Sequence, residues 1–107
     1  MTEFNKETFK EAVSKNKIVV ADFWAPWCGP CKMLTPIMEE VASETAKEGE
    51  IAVGKINVDE ESALAAAFEI RSIPTVIFIK NGQVQDIAIG VYPKDFYIQK
   101  IKELLNN

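Results

Sequence analysis

Residues 18–34 read IVVADFWAPWCGPCKML, and the way this stretch divides decides the architecture of the chain. Its first seven residues form an apolar run broken by one acid, Asp22, the pattern of a strand covered on both faces. Beyond the second cysteine the period changes. Leu34, Ile37, Met38, Val41, Ala42 and Thr45 follow helical spacing, which predicts a long helix starting near Cys28. Pro30 suits the first turn of that helix, whereas Pro36 falls in its interior and predicts a kink. Both cysteines thus sit where a strand runs into a helix, at the carboxyl end of the strand, the place where open α/β sheets build their sites.

Upstream, residues 5–15 predict a helix capped by Asn5, with Phe9, Ala12 and Val13 on one face. Downstream, IAVGKINV (51–58) reads as a second strand, and Asp59 is placed to cap a short helix over 60–68. TVIFIK (75–80) and QVQDIAIG (83–90) flank Asn81-Gly82, the strongest short hairpin signal. Residues 94–105 predict a last helix that buries Ile101, Leu104 and Leu105. The order α β α β α β β α gives an α/β fold. Its central β-sheet is mixed, parallel strands plus an antiparallel C-terminal hairpin, with helices on both faces. With no repeat, low-complexity run or linker, 107 residues read as one domain over 1–107.

A composition of 48% hydrophobic and 26% charged residues is that of an ordinary soluble globular chain. The net charge is -4 and no basic block or aromatic-basic stripe is present, which sets nucleic acid aside as a partner. No run approaches the roughly 20 apolar residues of a membrane span. The opening MTEFNKETFKEAV has acids and no apolar core where a signal peptide would be basic and then apolar. A cytoplasmic, reducing location is therefore expected.

Two cysteines three apart can clamp a metal, staple the chain or work as a redox pair. Zinc sites usually need four Cys or His ligands, and the chain has no His and no second C-x-x-C, so no metal is expected. At i and i+3 on a first helical turn the two residues lie roughly 5–6 Å apart, the span of a disulfide. Cys28, the outer thiol, meets free backbone N–H groups and the positive end of the helix dipole, both of which favour a thiolate. The magnitude matters: a thiol with pKa about 8.5 is only about 3% ionised at pH 7, and one with pKa near 7 is about half ionised. Cys31, one turn inside, should be more buried. Cys28 is accordingly assigned as the attacking nucleophile and Cys31 as the resolving thiol.

FWAPWCGPCKM resembles the active-site stretch of the thioredoxin family. DFW before it, RSIPT and KNG after it and a glycine near the end of the last strand follow the same pattern, in order, over essentially the whole chain. The resemblance implies a small monomeric thiol-disulfide oxidoreductase with no bound cofactor beyond the redox-active Cys28–Cys31 disulfide. It would reduce diverse oxidised protein substrates and be recharged by an NADPH-dependent thioredoxin reductase. An oxidase or isomerase on the same fold usually shows His between its cysteines, where this chain has Gly29 and Pro30. A purely structural subunit would not need the intact pair.

Burial should raise the carboxyl pKa of Asp22 towards neutrality, and similarity to thioredoxins suggests that it takes the proton of Cys31 in the second step. Lys55, the lone cation of the next strand, is expected to pair with Asp22 and tune it. X–Pro bonds are usually trans, but the family pattern implies a cis bond at Pro74, with the Ile73 backbone free to bond an extended substrate as one added strand. Gly29 lets a partner backbone approach Cys28, Pro30 stiffens the turn, and Trp27 offers a flat apolar contact surface. Gly90 and Val91 complete the apolar rim by resemblance. Trp24 is expected in the core, and Lys32 and Arg71 in solvent. Two departures stand out: Ser72 where the pattern usually has Gly, and Pro26 at a variable position that is often polar. Few residues precede the first helix, so the usual first edge strand is expected to be very short.

Overall fold

The computed structural model describes residues 1–106. Its elements are β1 (Thr2–Glu3), α1 (Lys6–Lys15), β2 (Ile18–Trp24), α2 (Gly29–Thr45), a 3-10 turn (Ala46–Glu48), β3 (Ile51–Asn57), α3 (Ser62–Ala67), β4 (Thr75–Lys80), β5 (Gln83–Ile89) and α4 (Lys94–Leu105). The five strands form one sheet in the order β1-β3-β2-β4-β5. β1 and β2 run parallel to β3, and the β4–β5 hairpin is antiparallel within itself. This is the expected mixed sheet, with the expected short first strand.

The change of direction falls at β4, which pairs antiparallel with β2. The length of α3 explains it. Six helical residues advance about 9 Å, less than half the length of a seven-residue strand. The chain is never carried back to the far end of the sheet, so β4 starts at the end where β3 stopped. The hairpin then reverses at Asn81-Gly82, both at positive φ (50° and 80°), as a two-residue turn of matching twist requires.

β2 is the central strand, and residues 18–23 are all buried, which accounts for their nearly unbroken apolar run. Alternate residues face opposite layers. Ile18 and Val20 pack with Leu34, Met38 and Val41 of α2 and with Tyr97 and Ile101 of α4. Val19, Ala21 and Phe23 pack with Phe9, Ile56, Ile77 and Ile79, against which Phe68 and Leu64 also rest. Asn5 caps α1 as expected: its side chain accepts the Thr8 N–H at 2.8 Å while the Thr8 hydroxyl accepts the Asn5 N–H at 2.8 Å. α2 runs on through Pro36, which lies among its interior residues. Leu104 and Leu105 are half-buried rather than fully covered.

Two local expectations are corrected. The short third helix spans Ser62–Ala67 instead of 60–68, and its N-cap is Glu61, with no side-chain cap bond. Asn57 explains the shift: its Oδ1 accepts the N–H groups of Asp59 (2.9 Å) and Glu60 (3.3 Å), holding that segment in a turn. Gly54 is set by packing, since a Cβ there would run into the ring of Phe4, itself only 3% exposed. Gly54→Ala should therefore cost about 1–3 kcal/mol by overpacking, read as a lower denaturant midpoint at unchanged m-value.

Candidate active site

Cys28 is the N-cap of α2, and its Sγ accepts the backbone N–H of Cys31 at 3.2 Å. The helix end therefore delivers to this sulfur an N–H that has no partner within the helix. The Cα atoms of Cys28 and Cys31 are 5.2 Å apart and their sulfurs are joined as a disulfide. The two residues are unequally accessible, Cys28 being 6% exposed and Cys31 0%. Any attack from outside the molecule reaches Cys28. Its Sγ lies 3.9 Å from the carbonyl oxygen of Ile73, which brings the loop before β4 against the redox pair.

The Ile73–Pro74 peptide bond is cis. Pro74 is buried and Ile73 half-buried. The Pro74 carbonyl accepts the N–H of Gly90 at 2.9 Å, so the end of β5 is tied to the same loop. Gly90 sits at φ 97°, a conformation that a residue with a side chain rarely adopts. Next to it Val91 is exposed. Gly29 faces open space, with nothing within 4 Å of where a Cβ would stand, and Pro30 beside it is exposed. Trp27 is 68% exposed, and its indole N–H donates to Asp59 Oδ2 at 2.8 Å. A cavity of about 190 Å³ lies beneath this ring, lined by Val58, Ile70, Ser72 and Ile73 among others.

Asp22 lies in β2, fully buried, and neither carboxylate oxygen has a hydrogen-bond partner. Burial pushes its pKa up to about 7, against the weaker pull of Lys55 in the other direction. Lys55 is directly across from Asp22 in the β2–β3 register. It forms no ion pair with it, because its ammonium stands over the Trp24 ring, 4.5 Å from the centroid. The expected Asp22–Lys55 pair is therefore a through-space attraction without contact. Trp24 is half-buried beside Cys28 and Cys31 rather than enclosed in the main core.

The residues singled out in the sequence thus fall into two groups. Cys28, Cys31, Trp27, Gly29, Pro30, Ile73, Pro74, Gly90 and Val91 gather at one end of the sheet. Asp22 and Lys55 lie opposite each other within the sheet. Lys32 and Arg71 are exposed, as expected. Asp59, read as a helix cap, was missed as the partner that holds Trp27, and Val58 as part of the cavity. Neither carries a local signal, because both act on residues about thirty positions away. Among the described residues no cluster of His, Cys, Asp or Glu is arranged to hold a metal ion, and no helix is long and apolar enough to cross a membrane.

Comparison with known proteins agrees with this geometry. The sequence matches the family model described as Thioredoxin over residues 1–103. It is 47% identical over 91 residues to a thioredoxin of Haemophilus influenzae, covering 84% of this chain and 83% of that one. It is 44% identical over 105 residues to a chloroplastic M-type thioredoxin of Spinacia oleracea, covering 97% of this chain but only 57% of the relative. A solved mutant thioredoxin from Halobacterium salinarum superposes with a TM-score of 0.84 at 36% identity, covering 95% of this chain and 88% of that one.

Proposed function

Because the chain belongs to the thioredoxin family and is a protein-disulfide reductase with a Cys28–Cys31 redox pair, we propose that it works as a monomeric, single-domain electron carrier of the cytoplasm, without a bound cofactor, recharged by a thioredoxin reductase. The observation that carries this reading is the unequal placement of two bonded cysteines at a helix N-terminus. One sulfur is open to a partner, and the other is sealed behind it within bonding reach.

In the reduced form the Cys28 thiolate attacks one sulfur of a target disulfide. The target's other sulfur leaves as a thiolate and takes a proton, and Cys28 is left in a mixed disulfide. Cys31 then gives up its proton, with Asp22 as acceptor, and attacks the Cys28 sulfur. The Cys28–Cys31 disulfide forms and the second target thiolate departs. Two electrons have passed to the target, and the reductase must return two electrons and two protons. The placement of Asp22 favours the acceptor role. A buried carboxyl with no partner and a pKa of about 7 exchanges a proton readily at neutral pH. Lys55 tunes it by attraction.

Ile73, Pro74, Gly90 and Val91 form the rim on which an extended target segment lies, and the Ile73 backbone supplies strand-like hydrogen bonds. Gly29 and Pro30 leave the approach to Cys28 open, and Trp27, held by Asp59, presents a flat apolar wall. The deciding measurement is the reduction potential of the pair against a defined thiol buffer, followed by tryptophan fluorescence. It is accompanied by NADPH oxidation in the presence of a flavoprotein thioredoxin reductase. A potential near the roughly −270 mV typical of thioredoxins, with turnover of NADPH, is the expected result. A value near the roughly −180 mV of disulfide isomerases would reverse the direction of the chemistry.

A further inference from the structure

The hairpin strand β5 leaves apolar side chains uncovered next to the redox cleft. Ile89 stands opposite Thr75 and Ile87 opposite Ile77 in the β4–β5 register. Partners across an antiparallel pair project from the same face, so both isoleucines share the face on which Ile77 packs with Phe9 and Phe23. Ile77 is buried (1% exposed), yet Ile87 is 52% and Ile89 60% exposed. The cause is the shortness of α3. Its helical layer ends near Phe68, and among the described residues both isoleucines stay uncovered on this face, while α4 covers Ala88 on the other. Between Phe68 and the two isoleucines lies a partly open cavity of about 160 Å³, lined also by Glu69, Ile70, Arg71, Ser72 and Thr75.

That size decides what can enter. Sites for cofactors and drug-sized ligands run to roughly 300–1,000 Å³, so this hollow holds a single side chain. It also adjoins the redox cleft across a shared wall. Ile70, Arg71 and Ser72 line both this cavity and the one beneath Trp27, forming a ridge between the two. Ile89 lies across the ladder from Thr75, the residue after Pro74, about one strand spacing from the loop that touches Cys28. The lining of the hollow includes one exposed cation, Arg71, and one exposed acid, Glu69, which offset each other in charge, so it selects by apolarity rather than by charge.

We propose that the hollow between Phe68, Ile70, Ile87 and Ile89 is a second subsite, which takes one aliphatic or aromatic side chain of the oxidised polypeptide whose disulfide is engaged at Cys28. The inference rests on the reductase reading and deepens it. Targets are then preferred when an apolar residue lies a fixed number of positions from the reacting cysteine. Contact so far from the reacting sulfurs is made equally in ground and transition states, so it acts on KM and leaves kcat unchanged.

The test uses the full chain and a series of synthetic peptides. Each carries one cysteine in a mixed disulfide with the same small thiol and is otherwise built of Gly and Ser. A single Leu is walked from two to eight positions on either side of the cysteine. One position should lower KM about tenfold relative to the Leu-free peptide, the scale expected for burying one such side chain. In Ile87→Gln that advantage should fall below threefold, while Ile87→Val keeps it. Turnover of the Leu-free peptide should stay within twofold in both variants. Equal KM at every position, or an advantage that survives Ile87→Gln, overturns the subsite alone. So does a dimer in sedimentation that Ile87→Gln dissociates, which would give the patch to a second copy of the chain. No reduction of any peptide by the unmodified protein overturns the reductase reading, and the subsite with it.

Discussion

Cys28→Ser should reduce protein disulfides no faster than buffer does, whereas Cys31→Ser should complete the first half of the reaction and stop. The asymmetry follows from burial. Only Cys28 has surface open to a target, so its loss removes the attacking sulfur outright. With Cys31 replaced, Cys28 can still form a mixed disulfide, but nothing is left within bonding reach to resolve it. A trapped covalent complex should accumulate, visible by mass spectrometry as chain plus target and released by added dithiol. Neither result can be put down to unfolding. The bond closes a loop of only four residues, and in the chain-entropy picture its loss costs about 2 kcal/mol, well within the stability of an ordinary domain. If Cys31→Ser trapped nothing while Cys28→Ser formed the complex, the assignment of nucleophile and resolving thiol would have to be exchanged.

Asp22→Asn should stabilise the oxidised protein and slow its reduced form at the same time. The carboxyl has a pKa of 3.8 in the unfolded chain and about 7 when folded, because burial outweighs the attraction of Lys55. Between those values the folded state holds a proton that the unfolded state has already lost. Stability contributed by this group is therefore complete below about pH 4, declines as the pH rises and levels off above about 7. A gap of about three units at 1.36 kcal/mol each amounts to as much as about 4 kcal/mol at pH 8. Asn has no charge to bury, so in urea melts from pH 5 to 9 the variant should lose this decline and gain most on the alkaline side. Resolution of the mixed disulfide should fall by about a hundredfold, the lower range for a lost general base, and lose its rise through pH 7. Unchanged turnover across pH 6–9 would remove Asp22 from the proton path and leave it as a structural cost alone.

Much of this could be read from the chain because the signals are short-range. The switch from a nearly continuous apolar run at 18–24 to helical spacing after Cys31 marks a strand entering a helix, with both cysteines at the joint. Asn81-Gly82 marked the hairpin because few residue pairs adopt two successive positive φ angles without strain. Asn5 marked the start of α1 through a bond to its own third neighbour. The misreadings came from side chains that had two partners to choose between. Asp59 has the composition of a helix cap, but it accepts the Trp27 indole instead, while Asn57 takes over the turn. Lys55 has the charge to meet Asp22, yet its ammonium rests on the Trp24 face, and the carboxylate is left without a partner.

The sequence by itself determined the elements, the mixed α/β class and the position of the redox pair, since each follows from periodicity, turn chemistry and the end of one helix. Only the tertiary structure decided which way β4 runs, what holds Trp27, how alone Asp22 stands and where β5 stays bare. These depend on how far a six-residue helix can carry the chain across the sheet, and on which of several adequate partners comes within reach once distant segments have packed. A linear pattern encodes the first kind of property residue by residue. The second kind exists only when the layers meet.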